Sequence, residues 1–201
     1  MRLSASGLSV ERGGRIVFAK LSFTLDAGES LIVTGRNGAG KSTLLRALAG
    51  FLPPAAGEIS CAPASDETLA ERVHYIGHSD ALKGALTVSE NLEFFASMLS
   101  SRRGGTPVEA ALAAFGLAHV AALPSAYLSA GQKRRAALAK LLVAPRPIWL
   151  LDEPTTALDA ASQEIMADVM RSHLGRGGMI VAATHARLNL AGRELRLGAG
   201  A

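Results

Sequence analysis

The sequence predicts an α/β fold: a parallel sheet with flanking helices, antiparallel strands ahead of it, and a helical stretch inserted into it. Three observations carry this. The β-branched run Leu31-Ile32-Val33 reads as a buried strand and Leu44-Leu45-Arg46-Ala47-Leu48-Ala49 as a helix, with a glycine-rich turn between them. The dense apolar runs Ile148–Leu151 and Met179–Ala183 read as further buried parallel strands. From Thr87 to Val143 the pattern is helical, with no strand. At 201 residues the chain fits a single domain in which 1–78 and 146–201 form the α/β core and 79–145 a helical subdomain.

Along the chain, Leu3–Val10, Ile16–Phe18 and Leu21–Leu25 alternate and are punctuated by Gly13-Gly14, as antiparallel strands are. Asp26-Ala27-Gly28-Glu29 turns the chain into the strand before the glycine-rich turn. The helix after Lys41 ends at Gly50, and Pro53-Pro54 forbids its continuation. Gly57–Ser60 returns as a strand, 62–71 carry no assignment, and Arg72–His78 reads as a strand ending on an exposed His78. Val88–Met98 is an amphipathic helix with Leu92, Phe95, Met98 and Leu99 inward. Residues 101–105 form a loop, and Pro107 opens the next helix. Asp159 caps a helix whose inward stripe is Ile165, Met166, Val169 and Met170. Gly175–Gly178 ends it, and Arg193–Leu197 closes the fold.

Composition narrows the class. Hydrophobic content is 49% with only 4% aromatic residues, so the core is aliphatic and alanine-rich. The net charge of +4 contains no long block of one sign, and Arg102-Arg103 and Lys133-Arg134-Arg135 are read as solvated helix faces. Composition alone names no partner; on the motifs below, no nucleic-acid partner is expected. A single cysteine, Cys61, excludes an internal disulfide and fits a reducing compartment. No apolar run is long enough to span a bilayer, and Glu11-Arg12 interrupts any signal-peptide core. A cytoplasmic, soluble chain is expected.

Gly35-Arg36-Asn37-Gly38-Ala39-Gly40-Lys41-Ser42-Thr43 fills every fixed position of the phosphate-binding pattern G-x-x-x-x-G-K-[ST]. Glycines let successive N–H groups turn inward on phosphate oxygens, and the adjoining helix adds its positive end. Lys41 suits the β- and γ-phosphates, and the Ser42 hydroxyl suits one Mg²⁺ position. Asp152-Glu153 directly succeeds a buried strand, where successive side chains alternate in direction. Asp152 fits Mg²⁺ coordination and Glu153 fits a base that polarises water. The expected ligands are ATP and Mg²⁺.

Leu128-Ser129-Ala130-Gly131-Gln132 lies between these two motifs and opens a helix; it resembles the signature of ATP-binding-cassette (ABC) ATPases. Ala157-Leu158-Asp159 is similar to that family's D-loop, and Thr184-His185 to its switch histidine. The resemblance covers Leu3 to Leu197. It implies a P-loop NTPase with a RecA-like core, an antiparallel N-terminal β subdomain and an inserted helical subdomain. It also implies a head-to-tail homodimer enclosing two ATP molecules. Residues 35–43 of one copy would face Ser129–Gln132 of the other, and His185 would hold the γ-phosphate and the attacking water.

Two positions depart from the family pattern. His78 stands where the family usually has a glutamine that senses the γ-phosphate, and a neutral imidazole there can accept from a metal-bound water or ligate Mg²⁺, though less readily than a hard oxygen. No aromatic residue lies around Arg12–Gly14 to stack adenine, which leaves the Arg12 guanidinium or Phe18. Tyr75-Ile76-Gly77-His78, Leu82-Lys83 and Leu86–Leu92 resemble, more closely, the ATP-binding subunits of bacterial cytochrome c maturation, called haem exporters. That resemblance implies a peripheral subunit on the cytoplasmic side of the inner membrane. It would work with integral membrane transporter subunits and, indirectly, a periplasmic haem chaperone. His74, His119 and His173 have no spacing that suggests haem ligation. The other readings are the ATPase of a different small exporter or importer, and a soluble ABC ATPase acting on ribosomes or DNA. Tandem cassettes, coiled-coil insertions or basic arms, which mark the soluble class, do not occur here.

Overall fold

The computed structural model describes residues 1–99, 104–186 and 188–198. The Arg102-Arg103 pair and part of the expected 101–105 loop lie outside the described residues. The chain divides into two compact units. One gathers Met1–Gly77, Arg146–Pro154 and Met170–Ala201; the other gathers His78–Pro145 and Thr155–Val169.

Among the described residues, the strands lie in the first unit: β1 (Arg2–Arg12), β2 (Arg15–Asp26), β3 (Ser30–Thr34), β4 (Ala56–Ala62), β5 (Val73–Ile76), β6 (Ile148–Asp152), β7 (Met179–Ala183) and β8 (Arg193–Arg196). Antiparallel β2-β1-β4 forms one sheet, and parallel β5-β6-β7-β3-β8 forms the other. β6 and β7 are buried at every position, as strands covered on both faces are. In β1 the inward residues are Leu3 and Ala5, then Leu8 and Val10. Gly7, at φ 57°, inserts the extra residue that shifts the alternation.

β2 differs from the two strands expected at 16–18 and 21–25: it is one continuous strand. Lys20 adopts φ 55° and donates its N–H to Ser9 Oγ at 3.0 Å, so a bulge absorbs the break in pattern.

α1 (Lys41–Leu48) packs on β6 and β7 through Leu44, Leu45 and Leu48, all fully buried. Each such side chain contributes roughly 1.5–3 kcal/mol. Gly50, at φ 77°, ends the helix: its N–H reaches Ala47 O, and the Phe51 N–H reaches Arg46 O. The unassigned stretch 62–71 contains the start of α2 (Leu69–Arg72), which Thr68 and Glu71 cap reciprocally.

The second unit packs α3 (Val88–Leu99) and α4 (Val108–Ala114) against α5 (Ala130–Val143). α6 (Ala160–Gly175) begins here and ends in the first unit. Among the described residues of 87–143 there is no strand, only the isolated bridge Thr87–Pro124. Three expectations need correction. Met98 is 58% exposed. Ile165 and Val169 are only half-buried, and Ala167 joins Met166 and Met170 inside. Arg134 is not solvated: it is 4% exposed and pairs with Asp80, while Arg135 donates to Phe115 O at 2.9 Å.

Candidate active site

Parallel pairing lines up three strand ends. Asp152 pairs with Ala183 and Val33 pairs with Ala183, so β6, β7 and β3 run out side by side. Their next residues, Glu153, Thr184-His185 and Thr34-Gly35, therefore lie at one edge of the sheet. The Glu153 N–H donates to Ala183 O at 2.8 Å, and the Thr184 N–H to Val33 O at 3.1 Å. Such a crevice beyond the carboxyl ends of parallel strands is where α/β sheets bind ligands.

The glycine-rich turn uses its glycines. Gly35, Gly38 and Gly40 have φ of 141°, 83° and 99°. A Cβ on Gly40 would lie 2.5 Å from Val17 Cγ1, and one on Gly35 would lie 2.6 Å from Leu197 O. Gly40 is the N-cap of α1 and offers no side-chain cap, so the helix's first N–H groups remain directed at the turn. Lys41 is 8% exposed, and its Nζ donates to Gly35 O at 2.8 Å and Arg36 O at 3.3 Å. Ser42 is exposed and Thr43 buried.

Asp152 is 4% exposed at the end of β6. Glu153 leaves the strand at φ 49°, a left-handed conformation rarely adopted by residues other than glycine. That backbone turn, rather than the strand pleat, aims its carboxylate. Oε1 lies 2.8 Å from His185 Nδ1, and Oε2 accepts from Thr184 Oγ1 at 3.2 Å. A cavity of about 810 Å³ opens beside them, lined in part by Thr34, Gly35, Arg36, Thr184 and His185. Ser42 and Asp152 supply hard oxygen donors of the kind Mg²⁺ takes, and α1, which carries Ser42, packs on β6, which carries Asp152.

Arg12 lines a separate cavity of about 360 Å³ with Thr43, Arg46, Phe51, Leu52 and Tyr75. Phe18 is half-buried; its Cδ1 would lie 3.2 Å from a Cβ on Gly40. Phe18 thus borders the glycine-rich turn, whereas Arg12 shares its cavity with Thr43 and Arg46 of α1.

The remaining expected residues belong to the second unit. His78 is exposed at its first position. Leu128 is buried, and Ser129 caps α5: its Oγ accepts from the Gln132 N–H at 3.2 Å, while Gln132 Oε1 accepts from the Ser129 N–H at 2.9 Å. Gly131 has a reason beyond small size, because a Cβ there would lie 3.0 Å from Ala157 O. Ala157 itself sits at φ 64°, Leu158 is buried, and Asp159 Oδ1 accepts from the Ser162 N–H at 2.8 Å, capping α6. The S-x-x-Q capping pair is visible in the sequence, whereas the Ala157–Gly131 contact is not.

The sequence model of the ABC transporter family matches residues 18–156. The chain belongs to the ABC transporter family. Within it, this ABC ATPase is 54% identical to the cytochrome c biogenesis ATP-binding export protein CcmA of Nitrobacter winogradskyi, over 202 aligned positions covering the whole of both chains. Solved structures agree on the fold. An ABC transporter ATP-binding protein from Pyrococcus furiosus superposes with a TM-score of 0.86 at 23% identity, covering 98% of each chain. A dimeric ATP-binding cassette in a post-hydrolysis state, bound to ADP and Pi, superposes with a TM-score of 0.80 at 22% identity, covering 97% of this chain and 94% of that one. Among the described residues of the ABC ATPase, no helix is long and apolar enough to cross a membrane.

Proposed function

We propose that the chain is the ATP-hydrolysing subunit of a membrane ABC transporter complex in cytochrome c biogenesis. There it couples ATP binding and hydrolysis to haem export or to release of a haem chaperone. The observation that carries this is the 54% identity, end to end, with a cytochrome c biogenesis ATP-binding export protein.

In this reading residues 35–43 wrap the phosphates, and Lys41 turns from the carbonyls of Gly35 and Arg36 to the β- and γ-phosphates. Ser42 and Asp152 would hold Mg²⁺, which would supply charge neutralisation at the phosphates when bound. Glu153 takes a proton from the attacking water. His185 and Thr184 orient that carboxylate through the 2.8 and 3.2 Å contacts, and the exposed His185 ring also faces the γ-phosphate. The base of the nucleotide occupies the cavity beyond Thr43, with the Arg12 guanidinium as its flat partner. Two copies pair head to tail, so that Ser129–Gln132 of each completes the other's site, a two-fold arrangement. Ala157–Asp159 backs that segment, and His78 answers the γ-phosphate of its own copy. The dimer docks on integral membrane subunits from the cytoplasmic side of the inner membrane.

The test is genetic. Cells lacking the gene should lose covalent haem from their c-type cytochromes, and the unaltered chain but not Lys41→Ala should restore it. Unchanged cytochrome c content in the deletion strain would refute the pathway and leave only the ATPase.

A further inference from the structure

Lys140 lies on α5, the helix that begins at the signature, and is 3% exposed. A methionine would fill the same space without burying an ammonium group, which is costly. Burial pushes the Lys140 pKa down to about 8. The charge is answered by backbone: Nζ donates to Asp80 O at 2.7 Å and Ala81 O at 3.0 Å, and lies 3.9 Å from the centre of the Phe95 ring. Arg134, from the same helix, donates to Asp80 Oδ1 at 3.3 Å. Ala81 is held at φ 50°, a conformation that a non-glycine residue keeps only when its surroundings impose it. Two cations of α5 thus grip the turn that starts just after His78.

The far end of that turn is tied down as well. Asn91 is fully buried; its Oδ1 accepts from the Lys83 N–H at 2.8 Å. Its Nδ2 lies 2.8 Å from Ser125 Oγ and within reach of the carbonyls of Lys83, Leu86 and Thr87. Ser125 opens the short 3-10 turn leading into Leu128.

We propose that Lys140 is a positioning residue for hydrolysis: it pins the Asp80-Ala81 turn to the signature helix, so that His78 and Ser129–Gln132 keep one fixed relation. This rests on the reading above, in which His78 answers the ATP of its own copy and the signature answers the partner's. Were Lys140 only filling space, methionine would serve equally well.

The experiment compares Lys140→Met and Lys140→Arg in the full chain. Read-outs are ATP turnover, ATP affinity, melting temperature, and ATP-driven dimerisation in a Glu153→Gln background. Lys140→Met should melt no lower than the parent and keep KM within about twofold, while kcat falls about tenfold to a hundredfold, the effect of a small misplacement of reacting groups. Its ATP-driven dimer should weaken in step, and Lys140→Arg should recover most of both losses. Ser125→Ala, which cuts only one link of the same network, should show the same split at smaller size and decides the matter if Lys140→Met does not fold. Unchanged kcat in Lys140→Met, or equal losses in both Lys140 variants with lowered melting, would overturn the proposal. Failure of the Glu153→Gln parent to dimerise with ATP would instead overturn the reading on which it rests.

Discussion

In the proposed mechanism, replacing Glu153 by glutamine removes the base and little else. Among the contacts of the carboxylate are 2.8 Å to His185 Nδ1 and 3.2 Å to Thr184 Oγ1. An amide of the same shape can keep both, accepting from the hydroxyl and donating to the imidazole. The stability cost is therefore no more than about one hydrogen bond, roughly 1 kcal/mol, and the left-handed backbone at position 153 is untouched. Turnover is another matter. A positioned general base contributes roughly 10²- to 10⁴-fold, which is about 2.7–5.4 kcal/mol of barrier. Phosphate release at saturating ATP should fall by at least a hundredfold, while a fluorescent-ATP titration gives an unchanged Kd and melting moves by only a few degrees. Turnover within threefold of the parent would refute Glu153 as the base. Loss of ATP binding would show instead that Glu153 belongs to the binding contacts.

The same geometry predicts two other outcomes. Gly131→Ala places a Cβ 3.0 Å from Ala157 O, so the 157–159 segment must shift by a few tenths of an ångström. ATP binding should hold while turnover drops about tenfold, and a fully active variant would remove Gly131 from the account. His173 stacks on Trp149 with ring centroids 3.7 Å apart, and burial pushes its pKa from 6.5 down to about 4. It is thus neutral when folded and takes up a proton on unfolding below pH 6.5. Its contribution is complete above that pH and is lost as pH falls toward 4, about 2 kcal/mol of it between pH 7 and 5. The carboxylates of Asp26, Glu71, Glu90 and Asp159, whose pKa values hydrogen bonding lowers, act only at more acid pH. Urea midpoints at pH 7 and 5 should converge in His173→Phe; an unchanged acid slope would assign the effect elsewhere.

Features that depend on near neighbours in the chain are legible in the sequence. The glycine-rich turn, the buried strand before Asp152 and the N-cap at Asp159 each depend on residues a few positions away. Features that depend on distant partners are not. Arg134 reads as a solvated charge because nothing near it in sequence announces Asp80, and Lys140 shows no sign of the carbonyls that receive it. β2 reads as two pieces because the bulge at Lys20 is a backbone event stabilised by Ser9 of the neighbouring strand. Strand alternation is an incomplete reason for the placement of Glu153, since its aim comes from φ 49°. α2 is only four residues long, too short for periodicity, although its Thr68-x-x-Glu71 capping pair stands in plain view.

The most direct test of the central claim is purification of this subunit from its native membrane in mild detergent, with identification of co-purifying proteins and an absorption spectrum. Integral membrane subunits of cytochrome c maturation and a haem absorption band should appear in the same fraction, both lost from the subunit's fraction when the membrane subunits are deleted. Recovery with unrelated permeases and no haem would contradict the claim.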